Sequence, residues 1–153
     1  MTESFATLEL AWKTRKGGGG KTQRDYLDFL VNGQSLRDLL KPGDNIGCLG
    51  WLPSNVEQNI LEQLTTKRLS DLGNDRYPIY ICAECGDIGC GAITVQIEKT
   101  EHGYIWKNFG YENNYDESMS DFESYQNIGA LHFKETEYLE ALQSCQNPEK
   151  RHH

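Results

Sequence analysis

The chain has 153 residues, 37% of them hydrophobic and 25% charged, and its 15 Lys+Arg against 23 Asp+Glu give a formal net charge of −8. That length supports one ordinary core, and at a mean hydropathy of −0.66 no run approaches the roughly 20 apolar residues of a transmembrane helix. The acidic balance disfavours nucleic acid and anionic lipid, which bind through Lys and Arg, and favours a basic protein partner.

Thr7 to Trp12 alternates Leu8, Leu10 and Trp12 with polar neighbours and predicts a strand. Residues 13–24 hold only Lys, Arg, Gly, Thr and Gln, which predicts a flexible basic loop with nothing to pack. Leu27, Phe29 and Val31 alternate again before the turn pair Asn32-Gly33. Ser35 can cap a short helix from Leu36 to Lys41, ended by Pro42-Gly43. Residues 44–53 read as a buried irregular connection, and Ser54 or Asn55 starts a helix with Val56, Ile60, Leu61 and Leu64 on one stripe, fading near Leu69-Ser70-Asp71.

Three further strands follow, Ile79 to Ala83, Ala92 to Glu98 and Tyr104 to Phe109, with short links that imply an antiparallel meander. A polar, acidic and aromatic loop over 110–127 precedes a short strand, Leu131 to Phe133, and a last helix, Glu135 to Ser144, with Tyr138, Leu139 and Leu142 inward. The fold class expected is α+β: an antiparallel meander with an N-terminal hairpin and two or three helices packed on it. A single domain over 1–149 is expected, with Lys150-Arg151-His152-His153 read as a tag remnant.

Gly20-Lys21-Thr22 ends like a phosphate-binding loop, but Arg15 stands where the first Gly must be and a strand pattern follows. Cysteines lie at 48, 82, 85, 90 and 145. An odd count, irregular spacing and no secretory layout in Met1-Thr2-Glu3-Ser4-Phe5 point to a reducing cytoplasm. The stretch Cys82-Ala83-Glu84-Cys85-Gly86-Asp87-Ile88-Gly89-Cys90-Gly91 admits three readings. Cys82, Cys85 and Cys90 could ligate zinc with a fourth donor, Cys82 and Cys85 could form a redox pair, or all could pack as small hydrophobes around a tight hairpin.

Between 108 and 133 there is no Lys or Arg, while Glu112, Asp116, Glu117, Asp121 and Glu123 alternate with Tyr111, Tyr115, Phe122 and Tyr125. Carboxylates that steer and aromatics that anchor suit capture of a basic protein surface, so Tyr111, Glu112, Tyr115, Asp116, Glu117, Asp121, Phe122 and Glu123 are the candidate partner-binding residues. No catalytic set stands out beside His102 and His132, and neither catalysis nor a cofactor is expected.

Ile81 to Ala92, followed by Tyr104-Ile105-Trp106-Lys107-Asn108-Phe109-Gly110-Tyr111-Glu112-Asn113, Ile128-Gly129 and Phe133 to Leu142, resembles a group of small bacterial proteins of unassigned function over about residues 77–142. The resemblance implies no established activity, and no dinucleotide fingerprint accompanies it. Acidity, size and lack of catalytic motifs lead by class analogy to an immunity protein. Such a cytoplasmic protein neutralises a cognate protein toxin by covering a basic, nucleic-acid-binding active site, and binds neither nucleic acid nor membrane itself. The alternative is a zinc- or thiol-dependent protein centred on Cys82, Cys85 and Cys90.

Overall fold

Alternating residues build the first sheet, and a turn of the expected chemistry folds it back. The structure is a computed structural model that describes residues 5–41, 45–68, 76–84, 91–112, 125 and 128–144. Strand β1 (Leu8–Arg15) pairs antiparallel with β2 (Arg24–Val31), which pairs with the two-residue β3 (Gln34–Ser35). Asn32 and Gly33 link β2 to β3 with φ of 53° and 80°. A two-residue hairpin with both central φ positive matches the twist of its strands, and Asn-Gly adopts it at least cost.

Ser35 then caps α1 (Leu36–Leu40), its Oγ accepting the Asp38 N–H at 3.2 Å, and Lys41 ends the helix in the left-handed region. Strand β4 (Asn45–Gly47), helix α2 (Ser54–Leu64), strands β5 (Arg76–Cys82), β6 (Ala92–Lys99), β7 (Gly103–Glu112) and β8 (Leu131–Lys134), and helix α3 (Glu135–Gln143) follow. Strands β4 to β8 form one antiparallel sheet in sequence order. The architecture is therefore α+β, an N-terminal hairpin and a meander with helices. Among the described residues no helix is long and apolar enough to cross a membrane.

The two sheets are joined at both ends. Leu27 N–H donates to Leu49 O at 2.9 Å and Ala6 N–H to His132 O at 2.7 Å. At the first junction the backbones meet so closely that a Cβ on Gly47 would stand 2.2 Å from Leu27 O. Between the sheets lies an aromatic core. Trp106 meets Phe29, Phe133 and Tyr138 edge-on at centroid distances of 5.4, 5.5 and 6.1 Å, the geometry their ring quadrupoles favour. Tyr138 is fully buried, yet its hydroxyl donates to Leu64 O at 2.5 Å and accepts from Trp106 Nε1 at 3.1 Å. It thereby satisfies a carbonyl in the last turn of α2, where no intrahelical donor is available. Burial pushes the Tyr138 phenol far above its usual range.

A carboxylate occupies the same interior. Asp28, 0% exposed on β2, accepts from Tyr80 OH at 2.6 Å, from Ser35 Oγ at 2.5 Å and from the Phe29 N–H at 2.8 Å, with Lys13 Nζ 3.8 Å away.

Several expectations are corrected. Residues 13–24 are not a loop with nothing to pack: β1 runs on to Arg15, which is buried, and β2 begins at Arg24. Val56 is not on the inward stripe of α2 but 38% exposed; Glu57 and Gln63 are buried instead. The reason is the connection 48–53, whose Gly50 N–H is held by the Glu57 carboxylate at 2.8 Å. Helix α2 ends at Leu64 with Thr65 as its C-cap, and β7 reaches Glu112, three residues into the expected loop. The expectations for 42–44, 69–71, 86–89 and 150–153 lie outside the described residues.

Removing the Asp28 carboxylate leaves the Tyr80 hydroxyl, the Ser35 hydroxyl and the Phe29 N–H without their acceptor, and each buried donor left unsatisfied costs about 1–3 kcal/mol. Asp28→Ala is therefore expected to lose at least about 3 kcal/mol in urea denaturation, and Tyr80→Phe, which removes one donor, about 1 kcal/mol. Equal losses in the two variants would show that the carboxylate is not the hub.

Candidate functional site

The residues singled out in the sequence divide into two sets. Tyr111, half-buried on β7, packs against the core, and a Cβ on Gly91 would stand 2.0 Å from its hydroxyl. Its ring is thus committed to the sheet and is not an exposed anchor. Glu112 closes β7 opposite Ala92. Tyr115, Asp116, Glu117, Asp121, Phe122 and Glu123 lie outside the described residues, as do Cys85 and Cys90. Cys82 ends β5 half-buried and Cys48 is buried; both are thiols, not disulfide partners. Among the described residues no group of three or more His, Cys, Asp and Glu converges as metal ligands would.

The start of the cysteine-rich stretch is instead gripped by the hairpin of β1 and β2. Glu84 Oε1 accepts from Arg15 Nη1 at 2.7 Å and from the Thr22 N–H at 2.8 Å, and Oε2 accepts from Thr22 Oγ1 at 2.9 Å. Arg24 donates from Nε to Ala83 O at 2.8 Å, and its guanidinium lies 4.7 Å from the Trp51 ring centroid. The hairpin is therefore held where β5 ends, while Lys16 to Lys21 are exposed at its tip. The Thr22 N–H, then the Arg15 guanidinium and the Thr22 hydroxyl, hold the Glu84 carboxyl down to about 2, from an ordinary 4.5.

An open groove of about 410 Å³ runs between β1 and α3, lined by Thr7, Leu8, Glu9, Leu10, Glu137, Glu140, Ala141 and Ser144. Its construction follows from local sequence. Glu9 is an exposed residue of alternating β1, and positions 137, 140, 141 and 144 recur at helical spacing on the side of α3 opposite buried Tyr138 and Leu142. All three carboxylates are exposed, and among the described residues no Lys or Arg lines the groove. A second pocket, between α2 and β5 and lined by Cys48, Leu52, Ile60, Leu64, Tyr77 and Ile81 among others, has a volume of about 80 Å³. That is well below the roughly 300 Å³ at which small-molecule sites begin.

Sequence reasoning missed the groove because its members are 128 residues apart at the extremes of the fold, Glu9 and Glu137. The available signal was the i, i+3, i+4, i+7 run of Glu137, Glu140, Ala141 and Ser144 on the polar face of the last helix. No family model, curated protein or solved structure matches the chain.

The Glu84 cluster makes a pH prediction. A carboxyl whose folded pKa is depressed adds stability that is present above its unfolded pKa and lost as pH falls through the folded one. The Glu84 contribution should be intact above about pH 4.5 and gone near pH 2. Denaturation midpoints of wild type and Glu84→Gln, followed across that window, should differ at pH 6 and converge by pH 2; a constant difference would remove the role assigned to the charge.

Proposed function

We propose that the chain is a small acidic binding protein that neutralises a cognate protein toxin, as an immunity protein does, by covering a basic surface of the partner. The observation that carries this reading is the β1–α3 groove. Glu9, Glu137 and Glu140 face one open space with no cation among its described lining residues. Elsewhere five of the protein's cations are engaged in ion pairs: Lys13 with Asp28, Arg15 with Glu84, Arg68 with Glu62, Lys99 with Glu135 and Lys107 with Glu98. A net charge of −8 attracts a cationic surface at long range, and the groove offers carboxylates with no internal partner among the described residues to meet it. In this reading Asp116, Glu117, Asp121 and Glu123, with Tyr115 and Phe122 among them in the sequence, add carboxylates and aromatic rings for the same partner. The reading places the protein in the cytoplasm, with no cofactor and no catalytic step.

The test is co-production with the toxic domain encoded beside it. The chain should restore growth and form a complex that survives purification. The paired reversals Glu137→Lys with Glu140→Lys, and separately Asp116→Lys with Glu117→Lys and Asp121→Lys with Glu123→Lys, should each leave the fold intact. At least one should slow association about tenfold or more, with a reduced dependence on salt. No protection and no complex with the wild type would overturn the reading.

A further inference from the structure

The turn between β2 and β3 is the one place in the chain where Asn precedes Gly. Every other Asn is followed by a residue with a side chain, which shields the backbone nitrogen next to it. Asn32 and Gly33 are both exposed, with φ of 53° and 80°, and a Cβ built on Gly33 would have no atom within 4 Å. The Gly33 N–H lies outside the ladder, which pairs Val31 with Gln34 and Leu30 with Ser35, and among the described residues it has no acceptor. The Asn32 side chain is held in a definite pose. Asn32 N–H donates to Thr7 O at 3.0 Å, and Thr7 N–H returns a bond to the side-chain Oδ1 of Asn32 at 2.9 Å.

We propose that Asn32 is a modification site, at which the chain converts its own turn to an isoaspartyl linkage without an enzyme. The Gly33 nitrogen bonds to Asn32 Cγ, the Cγ–Nδ2 bond breaks, and Nδ2 leaves as ammonia with the proton from Gly33. Charge that gathers on Oδ1 during the attack faces the Thr7 N–H, an oriented donor of the kind that stabilises a forming oxyanion. Closing the ring turns the Asn32–Gly33 peptide out of the hairpin geometry. A ladder of two residue pairs, with nothing packed on Gly33, opens locally at low cost. Water then opens the five-membered imide at either carbonyl. Opening at Cγ gives aspartate; opening at the main-chain carbonyl leaves the chain running through Cγ, an isoaspartate. Nothing is oxidised or reduced, and water is the only co-reactant.

The two products differ in what they do to the fold. Aspartate suits a two-residue turn of this type as asparagine does, and its carboxylate still accepts from Thr7. Isoaspartate adds a methylene to the main chain of the turn, and the pairs it joins, Val31 with Gln34 and Leu30 with Ser35, are drawn out of register. Ser35 is the residue through which this matters, because its Oγ donates to buried Asp28 and accepts from the Asp38 N–H at the start of α1. The modification therefore acts on the polar interior from an exposed position, and it stands independently of the partner reading.

The test ages the full chain in mildly alkaline buffer, then locates isoaspartate by digestion, mass spectrometry and isoaspartate-specific methyl transfer. Conversion should appear first at Asn32, ahead of every other Asn, and should quicken as pH rises, since the attacking nitrogen must shed its proton. Ion exchange separates the more acidic products from the parent. The isoaspartyl form should unfold at lower urea than the parent, while the aspartyl form, and freshly prepared Asn32→Asp, should unfold with it. Amide exchange at Asp38, whose N–H Ser35 caps, should be faster in the isoaspartyl form. In a Ser35→Ala background the isoaspartyl loss should shrink, because the contact it breaks is already gone. Asn32 intact after other Asn residues have converted, an isoaspartyl form as stable as the parent, unchanged Asp38 exchange, or a loss undiminished by Ser35→Ala would each overturn the proposal.

Discussion

A carboxylate with no exposed surface sits at the centre of β2, and the placement of both sheets follows from satisfying it. Asp28 takes hydrogen bonds from β3 through Ser35, from β5 through Tyr80 and from the backbone of its own strand at Phe29. Ser35 is also the cap of α1, so the carboxylate fixes where that helix begins. Tyr80 packs edge-on against Phe29 at 5.9 Å, so the same phenol couples the polar hub to the aromatic core. Burial raises the Tyr80 phenol well above its usual range, and the negative Asp28 beside it raises it further; the hydroxyl stays protonated and able to donate. A slip of β2 by one residue would turn Asp28 to the opposite face and strand its partners, so the hub selects one register where an all-apolar strand would tolerate others.

What was legible in the sequence was whatever rests on local periodicity or turn chemistry. The alternation of Leu8, Leu10 and Trp12, the Asn32-Gly33 turn, the Ser35 cap and the three strands of the meander stand near where the pattern puts them. What was not legible depends on groups far apart in the chain. Arg15 and Thr22 look like members of a featureless basic loop until Glu84, more than 60 residues on, is placed between them. Glu57 looks like a solvent-facing residue of α2 until the connection beneath it presents the Gly50 N–H. Val56 fits an apolar stripe by spacing, yet it stays 38% exposed at the rim of the small pocket between α2 and β5, while Leu61 and Leu64 are buried. Of the candidate partner-binding residues, only Tyr111 has a described side chain, and packing on Gly91 accounts for it.

Charge is unevenly spent across the described surface. Exposed ion pairs such as Lys107 with Glu98 and Arg68 with Glu62 contribute about 0–1 kcal/mol each, too little to explain by stability why the cations sit where they do. Their larger effect is on the field: each paired cation is neutralised where it stands, and negative charge is left at places without one. The groove of Glu9, Glu137 and Glu140 is such a place.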